Sequence, residues 1–154
     1  MTSHLLEALG IYGGTFLVCL IGGLIPIVNT ELFLVGLIAI GAVHSAASLP
    51  AIVVLASAGQ MIAKLILYYT GRGMFELPRG RWKAKIEAAR ARVEKWRHKP
   101  NMVLAVSSTV GLPPLYMVSL AAGGLRMRLR TFLTIGMIGR VIHFAVVVAI
   151  AWIA

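Results

Sequence analysis

In the stretch Gly22-Gly23-Leu24-Ile25-Pro26-Ile27-Val28-Asn29-Thr30-Glu31-Leu32, one carboxylate lies inside a long apolar segment. A charge in hydrocarbon costs at least about 2–3 kcal/mol, so chains retain one mostly where it binds a ligand, moves a proton or pairs with a cation. Pro26 and Asn29 interrupt a helix at the same depth. A broken helix beside an acid is typical of the binding sites that membrane transporters build near the bilayer midplane.

The composition is that of an integral membrane protein. Of the 154 residues, 59% are hydrophobic and 13% are charged, whereas soluble domains carry about 25% charged residues. The apolar residues suffice for roughly four to six embedded segments of about 20 residues each. Asp is absent from the chain, which removes most acid-dyad, nuclease and magnesium sites. No nucleophile–base pair is visible and the four histidines lie far apart, so we expect neither an enzyme nor a bound metal or other cofactor.

The net charge of +10 is distributed unevenly. Ten of the fifteen Lys and Arg residues lie between Gly71 and Pro100. Because cytoplasmic loops of membrane proteins are rich in Lys and Arg, this segment is predicted to lie in the cytoplasm. Its charge favours contact with anionic lipid over contact with nucleic acid.

The apolar segment 102–125 is long enough to cross a bilayer, yet both of its flanks are basic. Gly111, Pro113 and Pro114 interrupt its middle, where a straight helix tolerates them badly. A re-entrant hairpin, which enters and leaves on the cytoplasmic side, satisfies both facts. Its bent backbone must then face protein or water.

The same pattern occurs earlier in the chain. Gly23-Leu24-Ile25-Pro26 aligns with Gly111-Leu112-Pro113-Pro114. Each half of the chain then reads as a hairpin followed by a spanning helix, in opposite orientations, which is an inverted repeat. The alternative is that residues 9–27 and 31–47 are two short full crossings.

The predicted fold is therefore an all-α integral membrane protein with an inverted repeat of a re-entrant helical hairpin plus a transmembrane helix. It forms a single membrane domain, 1–154. Its predicted segments are a hairpin at 8–44, a transmembrane helix at 49–70, a basic amphipathic cytoplasmic helix at 79–99, a second hairpin at 102–125 and a transmembrane helix at 131–154.

The amphipathic helix is indicated by apolar residues that recur at spacings of 4, 3, 4 and 3, from Trp82 to Trp96. Such a helix can lie in the membrane interface with its tryptophans at the level of the headgroups. Arg72 is placed at the same interface. The alternative is that this apolar face is a coiled-coil seam with a partner.

Several polar residues lie deep in the apolar segments. Glu31 is predicted to be a proton or cation site, or the partner of a buried cation. Lys64 lies eight residues before Arg72, and Arg140 lies eight residues after Phe132, which places each roughly 12 Å deep. Lys64 can alternatively extend to the inner surface, whereas Arg140 offers a planar guanidinium that suits phosphate. The candidate substrate- or ion-binding residues are Glu31, Arg140, Lys64, Asn29, Gln60 and His143, and the hairpin bends are placed at Pro26, Gly111, Pro113 and Pro114.

These motifs resemble a known family. Gly-Leu-Ile-Pro-Ile-Val-Asn-Thr-Glu-Leu at 23–32 is similar to the first hairpin of the DedA/VTT superfamily, also called SNARE-associated membrane proteins. Tyr68-Tyr69-Thr70-Gly71-Arg72 resembles the end of its first half, and Gly139-Arg140 resembles part of its second half. The spacing is most similar to the short, YqaA-like branch. The resemblance implies two opposed re-entrant hairpins and movement of phospholipids or polyprenyl phosphates between leaflets, coupled to protons in some members.

The sequence thus predicts a transporter or scramblase for an anionic lipid, such as a phospholipid or a polyprenyl phosphate, with proton linkage left open. The alternative is a membrane scaffold or assembly factor that binds anionic lipid or partner proteins without transport. The expected partners are membrane lipids and a second copy of the chain in a homodimer. The expected location is the bacterial inner (plasma) membrane, as a multi-pass protein.

Overall fold

The computed structural model describes residues 2–76, 91, 94, 95 and 97–154, and their regular structure is helical. Trp82, Trp96 and most of the predicted amphipathic helix 79–99 lie outside the described residues. The helices in the ranges 2–76 and 97–154 are α1 (Thr2–Leu24), α2 (Thr30–Ala39), α3 (Leu49–Glu76), α4 (Pro100–Val110), α5 (Leu115–Gly124) and α6 (Leu129–Ile153), with a short 3-10 helix at Ala46–Ser48.

Two stretches of the described chain, Ala46–Gly73 and Leu129–Ile153, are helical, apolar and long enough to cross a membrane. In α6, Ile138, Ile142 and Val146 recur one turn apart and are about half exposed. Such an exposed apolar stripe suits contact with lipid tails better than contact with water. The all-α part of the predicted fold is confirmed.

The helix ends follow from local chemistry. α1 ends just before Pro26, and α2 begins where the Asn29 side chain caps it. α4 begins at Pro100, whose missing N–H costs nothing in a first helical turn. It ends at Gly111, which adopts the left-handed conformation with φ of 88°. In both cases the next helix packs back on the previous one, since α1 contacts α2 and α4 contacts α5.

The chain divides into two compact units. The first unit comprises Met1–Ala63 and Arg140–Ala154. Its core draws on α1, α2, α3 and α6, and its buried members are Cys19, Leu34, Val43, Ile52, Val53, Ala56, Phe144 and Val148. α1 and α3 approach closely at Gly59, where a Cβ would lie 2.5 Å from the Phe16 carbonyl oxygen. Small residues permit this backbone contact, which is typical of helix packing in membranes.

The second unit comprises Lys64–Gly139. The fully buried rings of Tyr68 and Phe132 pack with their centroids 5.0 Å apart. The Tyr68 hydroxyl donates a hydrogen bond to the Met127 carbonyl oxygen at 2.5 Å. This bond ties the second half of α3 to the turn between α5 and α6.

Candidate functional site

The N-terminus of α2 is the centre of a polar cluster in the first unit. Asn29 Oδ1 accepts hydrogen bonds from the backbone N–H groups of Glu31 and Leu32, both at 3.0 Å. These bonds satisfy two donors that a helix start otherwise leaves open. Glu31 therefore occupies the first turn, where the helix dipole favours a negative charge. Asn29, predicted as a ligand-binding residue, acts as the cap of this helix.

Glu31 is hydrogen-bonded to His143, with 2.8 Å between Oε1 and Nε2. The hydrogen bond of Glu31 therefore goes to His143, another of the predicted site residues, and not to Nε or Nη1 of Arg140. His143 lies three residues beyond Arg140, which moves it about 4.5 Å along the axis of α6. The Glu31 side chain is 49% exposed and that of His143 is 13% exposed. Glu31 is thus less deeply buried than its place in an apolar stretch suggests.

Arg140 is 7% exposed. Its Cζ lies 5.4 Å from the centre of the Phe144 ring, one turn along the same helix, which is within the range of a cation–π contact. Nε and Nη1 are buried and have no hydrogen-bond partner among the described residues. The Glu31 carboxylate attracts this guanidinium electrostatically, but Nε and Nη1 make no hydrogen bond to it. A buried donor left without a partner costs about 1–3 kcal/mol.

Gln60 connects α3 to the start of α2. It is 5% exposed, and its Nε2 donates a hydrogen bond to Thr30 Oγ1 at 2.8 Å. Its Oε1 is buried and has no partner among the residues that the structure describes. Thr30 directly precedes Glu31, so Gln60 belongs to the same cluster. Among the described residues, the cluster therefore contains unpaired donors on Arg140 and an unpaired acceptor on Gln60.

Lys64, Arg72 and the residues of the two bends are the other residues that the sequence singled out. Lys64 is buried but belongs to the second unit. Arg72 is exposed at the end of α3, and Pro26 is exposed in the bend after α1. In the other bend, Gly111 ends α4 and Pro114 precedes α5. The Pro113 carbonyl oxygen accepts a hydrogen bond from Ser107 Oγ at 2.5 Å, which holds this bend closed.

Sequence reasoning did not single out Phe144. Its ring lies edge-on to His143, with 5.5 Å between the centroids, and beneath the Arg140 guanidinium. The sequence did contain a signal for Phe144. It lies four residues after Arg140, and residues four apart on a helix are neighbours on one face. Phe144 therefore contacts both cluster residues of α6.

The Arg140 donors of the cluster suit an oxyanion. Among the described residues, no group of three or more His, Cys, Asp or Glu side chains could hold a metal. Arg140 instead offers fixed, charged donors in a shielded setting, which is the arrangement that carboxylate and phosphate groups match.

Comparison with known proteins gives one result. The model of the VTT domain family matches residues 25–152. No curated protein and no solved structure matches the chain. The predicted YqaA-like branch stays a prediction, but the predicted family is confirmed. Since the match covers well over half of the residues and includes the whole polar cluster, the chain belongs to the VTT domain family, the DedA/VTT group of membrane proteins linked to lipid and ion transport.

Proposed function

We propose that this protein moves an anionic lipid across the bilayer, as a transporter or a scramblase, and that Arg140 contacts the headgroup. The observation that carries the proposal is a buried guanidinium with two nitrogens, Nε and Nη1, that have no hydrogen-bond partner among the described residues. The nearby carboxylate of Glu31 is bonded to His143 instead. The family is linked to lipid and ion transport, which supports the same function.

A phosphate fits Arg140 for physical reasons. The phosphate oxygens accept several hydrogen bonds at once, and the arginine side chain presents its donors in a rigid plane. Bonds between two charged groups are about twice as strong as neutral ones, and more so where water is excluded. A phosphate at Arg140 would therefore satisfy the open donors and offset the cost of burying their charge.

The proposed architecture is an inverted repeat of two re-entrant hairpins, each followed by a spanning helix. Its support is the exposure of large apolar side chains in both bends, where Ile27 is 91% exposed and Leu112 is 67% exposed. In a bend that reaches water, each such side chain would be unfavourable by about 1.5–3 kcal/mol. In a bend that dips into the bilayer, the same side chains meet lipid.

The remaining elements of the proposal concern setting and partners. We place the protein in the bacterial inner membrane as a multi-pass protein, with its basic segment on the cytoplasmic side. Its partners are anionic lipids and a second copy of the chain, and it carries out transport without catalysis. The net charge of +10 supports a preference for anionic lipid.

The test is lipid flipping by the purified protein in liposomes. Fluorescent phosphatidylglycerol in the outer leaflet is bleached by dithionite, so exchange between leaflets is read as loss of protected signal. We expect wild-type protein to accelerate exchange, and Arg140→Gln to slow this exchange by about tenfold or more, equivalent to about 1.4 kcal/mol. Arg140→Lys keeps the charge but loses the planar donor set, so an intermediate rate is expected.

Arg130→Gln is the matched control, because Arg130 is an exposed arginine on the same helix. It should exchange lipid at the wild-type rate. If wild-type protein binds anionic liposomes but does not accelerate exchange, transport is wrong and the scaffold alternative holds. Equal rates for wild type and Arg140→Gln would remove Arg140 from the mechanism.

A further inference from the structure

Glu31 lies between two possible partners on α6. His143 holds its carboxylate through a hydrogen bond of 2.8 Å. Arg140, one turn away, attracts the same carboxylate, but its Nε and Nη1 make no hydrogen bond with it. The carboxylate is half exposed, so it has room to change partner.

The choice of partner decides whether Arg140 is available. Carboxylate and guanidinium readily form a paired, two-bond contact, because their geometries match. Such a contact would occupy the open N–H groups of Arg140 and cancel its charge. An anionic headgroup would then have to displace Glu31 before it could bind. While the carboxylate is bonded to His143, Nε and Nη1 of Arg140 have no hydrogen-bond partner among the described residues.

We propose that His143 is a positioning residue that holds Glu31 away from Arg140 and so keeps the guanidinium open for an anionic headgroup. This inference rests on the proposed function, since it explains how the same site stays ready for its ligand. His143 needs only an N–H donor at the position of Nε2 for this role. Its ring also packs edge-on against Phe144, which a suitable variant must preserve.

Two substitutions separate the donor from the ring. His143→Phe keeps an aromatic ring against Phe144 but removes the donor, so Glu31 is released to Arg140. His143→Gln loses the ring but places an amide N–H near the former Nε2 position. A structural role for the ring predicts that Gln is the worse replacement. The positioning role predicts that Phe is worse.

The experiment measures binding of dihexanoyl phosphatidylglycerol to the purified full-length protein in detergent, by titration calorimetry and by the rise in unfolding temperature. Dihexanoyl phosphatidylcholine is the control for the acyl chains, and inorganic phosphate tests whether the headgroup alone suffices. We expect His143→Phe to weaken binding of the phosphatidylglycerol about tenfold, and His143→Gln to weaken it less than threefold. His143→Leu is the second donor-free variant, should the Phe protein not fold.

The decisive comparison uses a Glu31→Gln background. If His143 acts only by holding the carboxylate, then adding His143→Phe to Glu31→Gln should cause no further loss of binding. A tenfold loss in both backgrounds would show that His143 acts independently of Glu31, and would overturn the inference while leaving the proposed function intact. If wild type and Arg140→Gln bind the lipid equally, the proposed site is wrong and the inference fails with it.

Discussion

Gly123 in α5 lies directly against the backbone of Tyr68 in α3, so that a Cβ at residue 123 would overlap the Tyr68 carbonyl oxygen. At the same crossing, α3 also contributes a glycine: a Cβ at Gly71 would overlap the backbone of Leu120 in α5. Between helices in a bilayer, close packing replaces much of the hydrophobic drive that water supplies elsewhere. These two glycines are therefore expected to set the distance between α3 and α5.

Gly123→Ala should destabilise the second unit by about 1–3 kcal/mol, the usual cost of overpacking a tight contact. Thermal unfolding of the purified protein in detergent measures the change. Gly73→Ala is the matched control, because a Cβ at residue 73 meets nothing within 4 Å. That control should be neutral or stabilising by about 0.5–1 kcal/mol, since alanine favours a helix interior over glycine. Equal behaviour of the two variants would contradict the close approach.

Tyr68→Phe should lower stability by about 1 kcal/mol, because it removes the hydrogen bond to the Met127 carbonyl oxygen and keeps the ring against Phe132. Tyr69→Phe serves as the control. Tyr69 is 52% exposed, so loss of its hydroxyl should leave the unfolding temperature unchanged. A Tyr68→Phe protein as stable as wild type would mean that this bond adds nothing.

Asn29→Ala should destabilise the start of α2 by about 0.5–2 kcal/mol, since the cap supplies the acceptor for two backbone N–H groups. Asn29→Asp keeps an acceptor at the same position and should retain most of the stability. Amide hydrogen exchange of Glu31 and Leu32 reports on the cap directly. Faster exchange is expected in the alanine variant alone, and equal protection in all three proteins would argue against the cap.

Lys99 and Arg126 should be accessible from the same side of the membrane. Both residues are exposed, and they flank the α4–α5 pair. In the re-entrant proposal this pair enters and leaves the membrane on the same side. Single cysteines at these positions, in a Cys19→Ser background, can be labelled with a membrane-impermeant maleimide in intact cells and in inverted vesicles. Labelling of both only in inverted vesicles is expected. Labelling from opposite sides would show that residues 100–125 cross the membrane completely.

Much of the α1–α2 hairpin could be predicted from local chemistry. Pro26 and Asn29 indicated a helix break, because proline disrupts a helix and asparagine favours its start. The structure places α1 before this break and α2 after it. Such features depend on backbone geometry within a few residues, and so they can be predicted from the amino-acid sequence.

The partner of Glu31 could not be predicted in the same way. Arg140 and His143 lie on one face of α6, and either could meet a residue 112 positions earlier in the chain. The choice depends on a shift of about 4.5 Å along the helix axis. Core packing sets that shift, with Phe144 and Val148 buried against residues from α1, α2 and α3.

By itself, the sequence determined an all-helical membrane protein, its family, and the polar residues that its apolar segments contain, because composition, helix breaks and motifs are local properties of the chain. Only the tertiary structure decided that Glu31 is hydrogen-bonded to His143, that Gln60 bonds to Thr30, and that Nε and Nη1 of Arg140 have no hydrogen-bond partner among the described residues. The reason is that a hydrogen bond forms or fails within a few tenths of an ångström. Distances of that size depend on how several helices pack together, which no single segment specifies.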